Sequence, residues 1–335
     1  MCGIAGVIRF DHNPVDRADL TAMRDALAHR GPDGRGIWTG TLAGRAAGLV
    51  HTRLAVIDTS DAAAQPMTTP ENHAVIVYNG EIYNFRQLRR DLADNGVTFT
   101  TRSDTEVALA MWRRRGRGAF NHFNGMWAMA ILDLDAGQGL LCRDRFGVKP
   151  LYYHADARRL IFASELRALL ALRDWPRQID PAGLNHYLRL GFVPGDRTIL
   201  LDVRQLQPGA LLPFSADGPG IPERWHHVEP LVIPSDYRTM CEELRRRLAN
   251  AVAARTVADV PVGAFLSGGI DSSIVVAHLA TLGPAVRNRN SAGGGGAIKT
   301  FSIGYADHPR FDETRYAEMV AHRYGTDHQT FSGTF

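Results

Sequence analysis

The chain begins MCGIAGVIRF (residues 1–10): a cysteine at the second position, followed at once by a β-rich run of small and branched apolar residues. A side chain as small as cysteine's at position 2 permits removal of the initiator methionine. Cys2 would then carry a free α-amine beside its thiol. Such an amine has an ordinary pKa of roughly 7.7–8.0. It can therefore act as a general base near neutral pH and take the thiol proton without a histidine. Alone, a cysteine near a terminus is usually incidental, and Cys2 gains meaning only from the motifs downstream of it.

From this strand outward, residues 1 to about 214 hold further short β-rich segments, among them RLAVID, HAVIVYNGEIYN, MWAMAILDLD, GLLCRDRF, PLYYH and RLIFAS. MWAMAILDLD and GLLCRDRF, separated by AGQ, read as a hairpin. Helical patterns lie over 84–95 and 104–115. Hairpins with intervening helices indicate sheets packed against helices, not a βαβ array. Residues 215–238, rich in Pro and Gly and without periodicity, read as a linker. From 239 the pattern changes to helix (MCEELRRRLANAVAAR), strand (VPVGAFL), SGGIDSS, helix (SIVVAHLATL), strand (IKTFSIGY), helix (DETRYAEMVAHRYG) and a short strand (HQTFSG). That alternation predicts a parallel sheet. The glycine run within RNRNSAGGGG reads as a loop over 287–297.

Composition narrows the function classes. A formal charge of +3 over 335 residues, with only short runs such as RRRGR (113–117), gives no electrostatic footprint for nucleic acid or a membrane surface. Three cysteines without a CxxC pair indicate neither a disulfide framework nor a zinc site, which fits a reducing compartment. The thirteen histidines show no ligand spacing, so no metal site is expected in the N-terminal part. Neither a signal peptide nor a transmembrane run is evident, and the cytoplasm is the expected location.

After MCGIAG come HRGPDG (29–34), HTRLAVID (51–58), YNGEIYN (78–84), RSDTE (102–106) and RDRFGVKPLYY (143–153). This ordered set resembles the class II glutamine amidotransferase domain, especially that of glutamine-hydrolysing asparagine synthetases of the B type. The resemblance implies an α+β N-terminal-nucleophile fold, a four-layer αββα sandwich, with Cys2 as nucleophile. It also implies that Asn79 and Gly80 form the oxyanion hole. Physically, Asn79 offers a side-chain NH₂ and Gly80 an unshielded N–H, although Asn-Gly alone reads as a hairpin turn. Free glutamine also presents an α-carboxylate and an α-ammonium. The planar fork of Arg53 suits the first, and Asp104, with Glu81 nearby, suits the second. The plainer readings are a surface ion pair for Arg53 and a helix cap for Asp104. As in the family, the backbone of Leu54, Ala55, Val56 and Ile57 is expected to line the pocket. Arg30, Gly31 and Pro32 are expected to shape it without doing chemistry.

A second chemical signal, SGGIDSS (267–273), stands between a strand and a helix. Its glycines let backbone N–H groups approach an anion, and the helix N-terminus adds a favourable dipole. It resembles the pyrophosphate loop of ATP pyrophosphatases, the synthetase domain of asparagine synthetases included. Ser267, Gly268, Gly269, Asp271, Ser272 and Ser273 match that loop. Leu266 and Ile303 match positions where the family's backbone meets adenosine. The resemblance therefore implies ATP, with Mg2+ to neutralise the triphosphate, and aspartate as the ammonia acceptor. The expected organisation is a glutaminase domain over 1–214, a linker over 215–238 and a partial α/β parallel-sheet domain over 239–335. No SGEGSDE-like second phosphate loop is present, so the chain reads as a fragment covering the family's N-terminal portion. Two other readings stay open: a glutaminase or amidotransferase with a non-aspartate acceptor, and a non-catalytic glutamine-binding partner. A homodimer is compatible with any of them.

Overall fold

The structure, a computed structural model, describes residues 1–335 except 231, 233–234, 283–296, 306, 309 and 334–335. The glycine-rich loop expected over 287–297 therefore lies almost wholly outside the described residues. The described chain divides into two compact units, Met1–Glu229 and Pro230–Phe335.

In the first unit, β1 (Gly3–Arg9) is apolar on both faces, which is the composition of an interior strand. It pairs antiparallel with β3 (Arg45–Arg53) on one side and β9 (Arg159–Ala163) on the other. β2 (Gly34–Leu42), β8 (Tyr152–Ala155) and β10 (Arg204–Gln205) complete a six-stranded sheet in the order β10-β8-β9-β1-β3-β2. A second antiparallel sheet runs β12-β11-β7-β6-β5-β4. Its strands are β4 (Met67–Thr68), β5 (Ala74–Ile82), β6 (Gly125–Asp133), β7 (Gln138–Arg143), β11 (Ala210–Ser215) and β12 (Gly218–Pro219). β13 (Glu223–Arg224) also pairs with β11.

The two-residue period of the strands sorts their side chains into layers. Ile4, Ile8 and Leu49 of the first sheet pack with Val75, Val77, Ala130 and Leu212 of the second, forming the core between the sheets. On the other face of the first sheet, Ala5, Val7 and Val50 meet Leu20 and Met23 of α1 (Arg17–Ala26) and Leu169 of α4 (Leu166–Leu170). Against the second sheet, α3 (Asp104–Arg115) packs on β5, and α2 (Phe85–Ala93) packs on α3. The first unit is thus helix, sheet, sheet, helix. α5 (Pro181–Leu190) follows α4 in the chain.

The plainer local reading of Asn-Gly fails, and one expectation changes here. Asn79-Gly80 is not a hairpin turn: both residues lie within β5, opposite Ala128 and Trp127 of β6. The expected linker starts too early. Gly218–Pro219 and Glu223–Arg224 are strands of the second sheet. Just beyond them, Trp225 stacks on Trp127 with ring centroids 5.7 Å apart and donates its indole N–H to the Arg143 carbonyl at 3.1 Å. Proline and glycine here mark tight edge pairing, which the absence of periodicity disguises.

The second unit has a parallel sheet in the order β14-β15-β16: β14 (Gly263–Phe265), β15 (Lys299–Tyr305) and β16 (Asp327–Gly333). Around it lie α6 (Tyr237–Ala254), α7 (Ile270–Thr281) and α8 (Thr314–Tyr324). Their buried side chains form two small clusters, one of Val252, Leu279 and Ile298, the other of Leu266, Val276, Ala317 and Ala321.

A chain ending at Glu229 is expected to fold alone and melt cooperatively. One ending at Ser215 loses β12, β13 and the Trp225 stack, and is expected to melt roughly 5–10 °C lower, from about 2–3 kcal/mol of lost packing. Circular dichroism melts of the two proteins check this; equal melting temperatures would restore the linker to 215.

Candidate active site

One pocket of the first unit is lined by Cys2, Arg53, Leu54, Val56, Ile57, Asn79, Gly80, Glu81 and Asp104. Residues up to 102 positions apart in sequence thus meet because three elements end there. The register of β1 against β3, Gly3 opposite Thr52, carries Cys2 to the side of Arg53 and Leu54. The Cys2 thiol accepts the Leu54 N–H at 3.4 Å. Burial pushes that thiol's pKa up, with the Leu54 hydrogen bond pulling the other way. Burial also draws the α-amine of Met1 below its ordinary value, with Arg30 and Lys149 adding to the fall and Cys2 and Glu81 opposing it. Arg30 holds the start of the strand, donating from Nε to the Cys2 carbonyl at 2.9 Å and from Nη1 to Glu165 at 2.7 Å. It touches the Cys2 backbone and does not line the pocket.

β5 supplies the facing wall. The Asn79 side chain is 1% exposed, and its Nδ2 has no hydrogen-bond partner. A buried, unpaired NH₂ costs about 1–3 kcal/mol, so it marks a place where an acceptor is missing. Gly80 is compelled by the ladder: a Cβ there would stand 2.3 Å from the Met126 carbonyl oxygen and 2.8 Å from the Trp127 Cα. Along this edge of β5 the Tyr78 N–H goes to the Gln65 side chain at 2.7 Å and the Ile82 N–H to the Asp104 carboxylate at 2.9 Å. By strand alternation the Gly80 N–H lies on the same edge between them, at the pocket.

Two carboxylates share the pocket. Asp104 is the first residue of α3 but not its cap; Ser103 is, with its hydroxyl accepting the Thr105 and Glu106 N–H groups. Asp104 instead accepts the Tyr78 hydroxyl at 3.0 Å. Burial pushes its carboxyl up to about 6, against the Ile82 and Tyr78 hydrogen bonds. Burial, and then the charge of Asp104, push Glu81 up to about 7, with Lys149 and the N-terminus opposing. A buried pair of like charges raised in this way fits an incoming cation such as an α-ammonium. Arg53 is buried and is no surface ion pair: its guanidinium donates to the Ser60 carbonyl at 2.6 Å and to the Asp58 carbonyl. Those bonds hold the fork in place on the pocket wall. Ala55 departs from expectation. It does not line the pocket, because its N–H turns to the Asp33 carboxylate at 2.8 Å.

The pocket also takes in Met1, Gln65, Tyr78 and Lys149, none of which sequence reasoning singles out as a site residue. Lys149 stands within RDRFGVKPLYY, where a lysine before proline in a turn is the available signal.

In the second unit, SGGIDSS joins β14 to α7 as expected. Gly268 has φ +82°, and a Cβ there would lie 2.4 Å from the Tyr316 Cβ, so only glycine fits. Gly269 is the N-cap of α7 and, having no side chain, makes no capping bond; its own N–H meets the Ser267 hydroxyl at 3.4 Å. Ser267 and Ser272 share a hydroxyl contact at 3.1 Å, Ser273 bonds the Gly269 carbonyl at 2.7 Å, and Asp271 is exposed in the first turn. Leu266 turns its side chain into the core and donates its N–H to the Phe301 carbonyl at 2.8 Å. Ile303 lies exposed on β15. Among the described residues no group of three His, Cys, Asp or Glu side chains is placed to hold a metal ion.

Residues 1–225 match the family described as glutamine amidotransferase domain. The chain belongs to that family. Residues 243–333 match the asparagine synthase family. Among curated relatives, the putative glutamine-hydrolyzing asparagine synthetase 2 of Methanocaldococcus jannaschii is 34% identical, with 99% of this chain and 64% of the relative aligned. The glutamine-hydrolyzing asparagine synthetase 3 of Bacillus subtilis is 33% identical, over 98% of this chain and 53% of its own. The chain thus spans between about half and two thirds of the length of these relatives. The solved structure of the allosteric regulatory enzyme of purine biosynthesis aligns with 99% of this chain and 80% of its own, at a TM-score of 0.51 and 17% identity. With that likeness and the family match, the first unit is the αββα sandwich of the N-terminal-nucleophile amidotransferases.

The raised Glu81 carboxyl has a consequence for stability. Between its ordinary value of 4.5 and about 7, the folded protein holds a proton that the unfolded chain has released. Stability contributed by that proton is present below pH 4.5 and is lost as pH rises to 7. Glu81→Gln is therefore expected to be more stable than the wild type at pH 8, on the order of 1 kcal/mol, and no more stable at pH 4. Urea unfolding at both pH values measures the difference; an equal effect at the two would refute the assignment.

Proposed function

We propose that this chain hydrolyses the side-chain amide of glutamine at Cys2, and that in a protein of the length of its relatives the ammonia passes to an ATP-activated aspartate, as in a glutamine-dependent asparagine synthetase. The observation that carries the first half is the unpaired, buried Asn79 NH₂ in the same pocket as the Cys2 thiol. After Met1 is removed, the α-amine of Cys2 takes the thiol proton and the thiolate attacks the carboxamide carbon. The oxyanion that forms finds the Asn79 NH₂ and the Gly80 N–H waiting, donors worth about 2.7–4 kcal/mol each in such sites. Collapse expels ammonia, carrying the proton from the α-ammonium, and water then hydrolyses the thioester to glutamate. Arg53 reads the α-carboxylate, and Asp104 with Glu81 reads the α-ammonium. The paired strands and Trp225 support a glutaminase domain that extends to Glu229 instead of ending at 214. A nucleophilic thiol favours a reducing compartment, which supports the cytoplasm.

The second half rests on the loop after β14. Its uncapped helix N-terminus and close glycine approach suit a pyrophosphate group, and the asparagine synthase match over the same residues supports ATP as the activating substrate. Ser267, Gly268, Gly269, Asp271, Ser272 and Ser273 are the residues for that group, with the backbone at Leu266 and Ile303 for adenosine. Mg2+, carried in with ATP, would neutralise its phosphates for adenylation; among the described residues no group of three His, Cys, Asp or Glu side chains is placed to hold it.

Purified chain is expected to release ammonia from glutamine. Cys2→Ser should lose nearly all of that activity while still binding glutamine. Asn79→Ala should lower kcat by about 10²–10³ with little change in KM. With ATP and aspartate, residues 1–335 alone are not expected to catalyse aspartate-dependent exchange of pyrophosphate into ATP, because the second phosphate loop that would complete the cradle is not among them. Ammonia release by Cys2→Ser at the wild-type rate would overturn the glutaminase reading. Measurable aspartate-dependent exchange by residues 1–335 alone would overturn the view that the second phosphate loop is needed.

A further inference from the structure

Lys149 is a buried cation that the chemistry above does not use. The turn carrying it is tightly built. Asp144, itself buried, accepts the N–H groups of Trp127, Phe146, Val148 and Lys149 at 3.0–3.2 Å. Arg143 donates to the Lys149 carbonyl at 2.7 Å and to the Gly147 and Leu206 carbonyls at 2.6 Å. These bonds fix the Lys149 backbone, and its side chain lines the pocket with Cys2 and Glu81 while only 5% exposed. The ammonium's hydrogen bond is a weak one, to the Met1 thioether sulfur at 3.3 Å. Removal of Met1 takes that acceptor away, while Cys2, which carries the new N-terminus, lines the same pocket as Lys149. A desolvated ammonium with no strong acceptor is costly, and sites keep such groups where the charge acts on a neighbour.

We propose that Lys149 is a positioning residue of the glutaminase site, whose fixed positive charge keeps the neighbouring α-amine in its neutral, proton-accepting form. The proposal rests on the glutaminase reading above and deepens it. The charged and titratable groups acting on the Met1 amine are the Cys2 thiol, Arg30 after α1, Glu81 on β5 and Lys149 itself, and those acting on the adjoining Cys2 thiol include Arg53 at the end of β3 and Asp104 on α3. Glu81, Asp104 and any Cys2 thiolate favour the protonated amine; Arg30, Arg53 and Lys149 oppose it. Arg30 and Arg53 are already engaged by the Cys2, Asp58 and Ser60 carbonyls and by Glu165. Of these three cations Lys149 alone hydrogen-bonds neither a carboxylate nor a carbonyl, although Glu81 and Asp144 act on its charge through space. In the α-amine of Met1 the same influence is visible, since Lys149 helps to draw it down.

The test is the pH profile of kcat/KM for ammonia release by the full chain, whose acid limb reports the base in the free enzyme. Removing a nearby positive charge raises the amine's pKa. The limb of Lys149→Met is therefore expected to move up by about one pH unit, with Lys149→Arg close to the wild type. Thermal melts accompany both, and if Lys149→Met fails to fold, Lys149→Gln takes its place. An unmoved limb in the neutral variant overturns the proposal. So does an equal shift in Lys149→Arg, which would mean packing and not charge. Absence of ammonia release by the wild type would fell the glutaminase reading and this one with it; release with an unmoved limb fells this one alone.

Discussion

The free edge of β5 is the constraint on which the site depends. β4 pairs with β5 for only two residues, Met67 and Thr68, so the N–H groups of β5 beyond that point must find other acceptors or stay unmet. Gln65 takes the one at Tyr78 and Asp104 the one at Ile82. Both side chains come from outside the sheet, and between them the strand stays extended with Gly80 open to the pocket. A longer β4 would satisfy the edge and close the site. The same bond that satisfies Ile82 buries the Asp104 carboxylate beside Glu81, so the edge and the electrostatics of the pocket share one cause.

That arrangement costs stability. Two carboxylates, an unpaired amide NH₂ and a lysine with a thioether for a partner all sit within one pocket. Each is unfavourable without a ligand, and together they form a charge pattern complementary to a zwitterionic amino acid with a polar side chain. The surrounding fold supports this strain because the pocket is seated between two sheets whose faces are covered, with Ile4, Leu49, Val77 and Phe162 fully buried nearby.

Much of this is legible in the sequence, unevenly and for physical reasons. The strand at GIAGVIR and the helices over 85–93 and 104–115 follow from apolar pattern. The pocket's membership is legible only because the ordered motifs resemble a family, since no periodicity relates Cys2 to Asn79. Asn79-Gly80 misleads when read locally, because turn propensity gives way to a ladder that forces glycine at 80. Ser103 in place of Asp104 as the cap can be argued from SDTE, where serine precedes the helix and leaves the aspartate free. Trp225 is hidden within a stretch whose prolines and glycines resemble a linker, and its partner lies 98 positions away. Lys149 is hidden differently: nothing in GVKP says that a lysine will be buried, because the burial comes from Arg143 and Asp144 folding the turn around themselves.

The two units show how unequally a motif can be supported. The glutaminase pocket rests on a core continuous through both sheets. The SGGIDSS loop rests on a parallel sheet whose helices bury Leu266 and partly cover Ala264, while Phe265, Ile303 and Phe331 on the other face are 83%, 56% and 56% exposed. Parallel sheets are ordinarily covered on both faces. An apolar face open to water contributes nothing to folding, so among the described residues of this unit the burial that stabilises it lies in two small clusters. Gly268 makes the consequence local: the loop keeps its shape by touching the α8 backbone at Ala317, and α8 is held by one of those clusters. Geometry at the loop is therefore sensitive to anything that loosens α8, whereas Cys2 is held by a strand bonded on both sides.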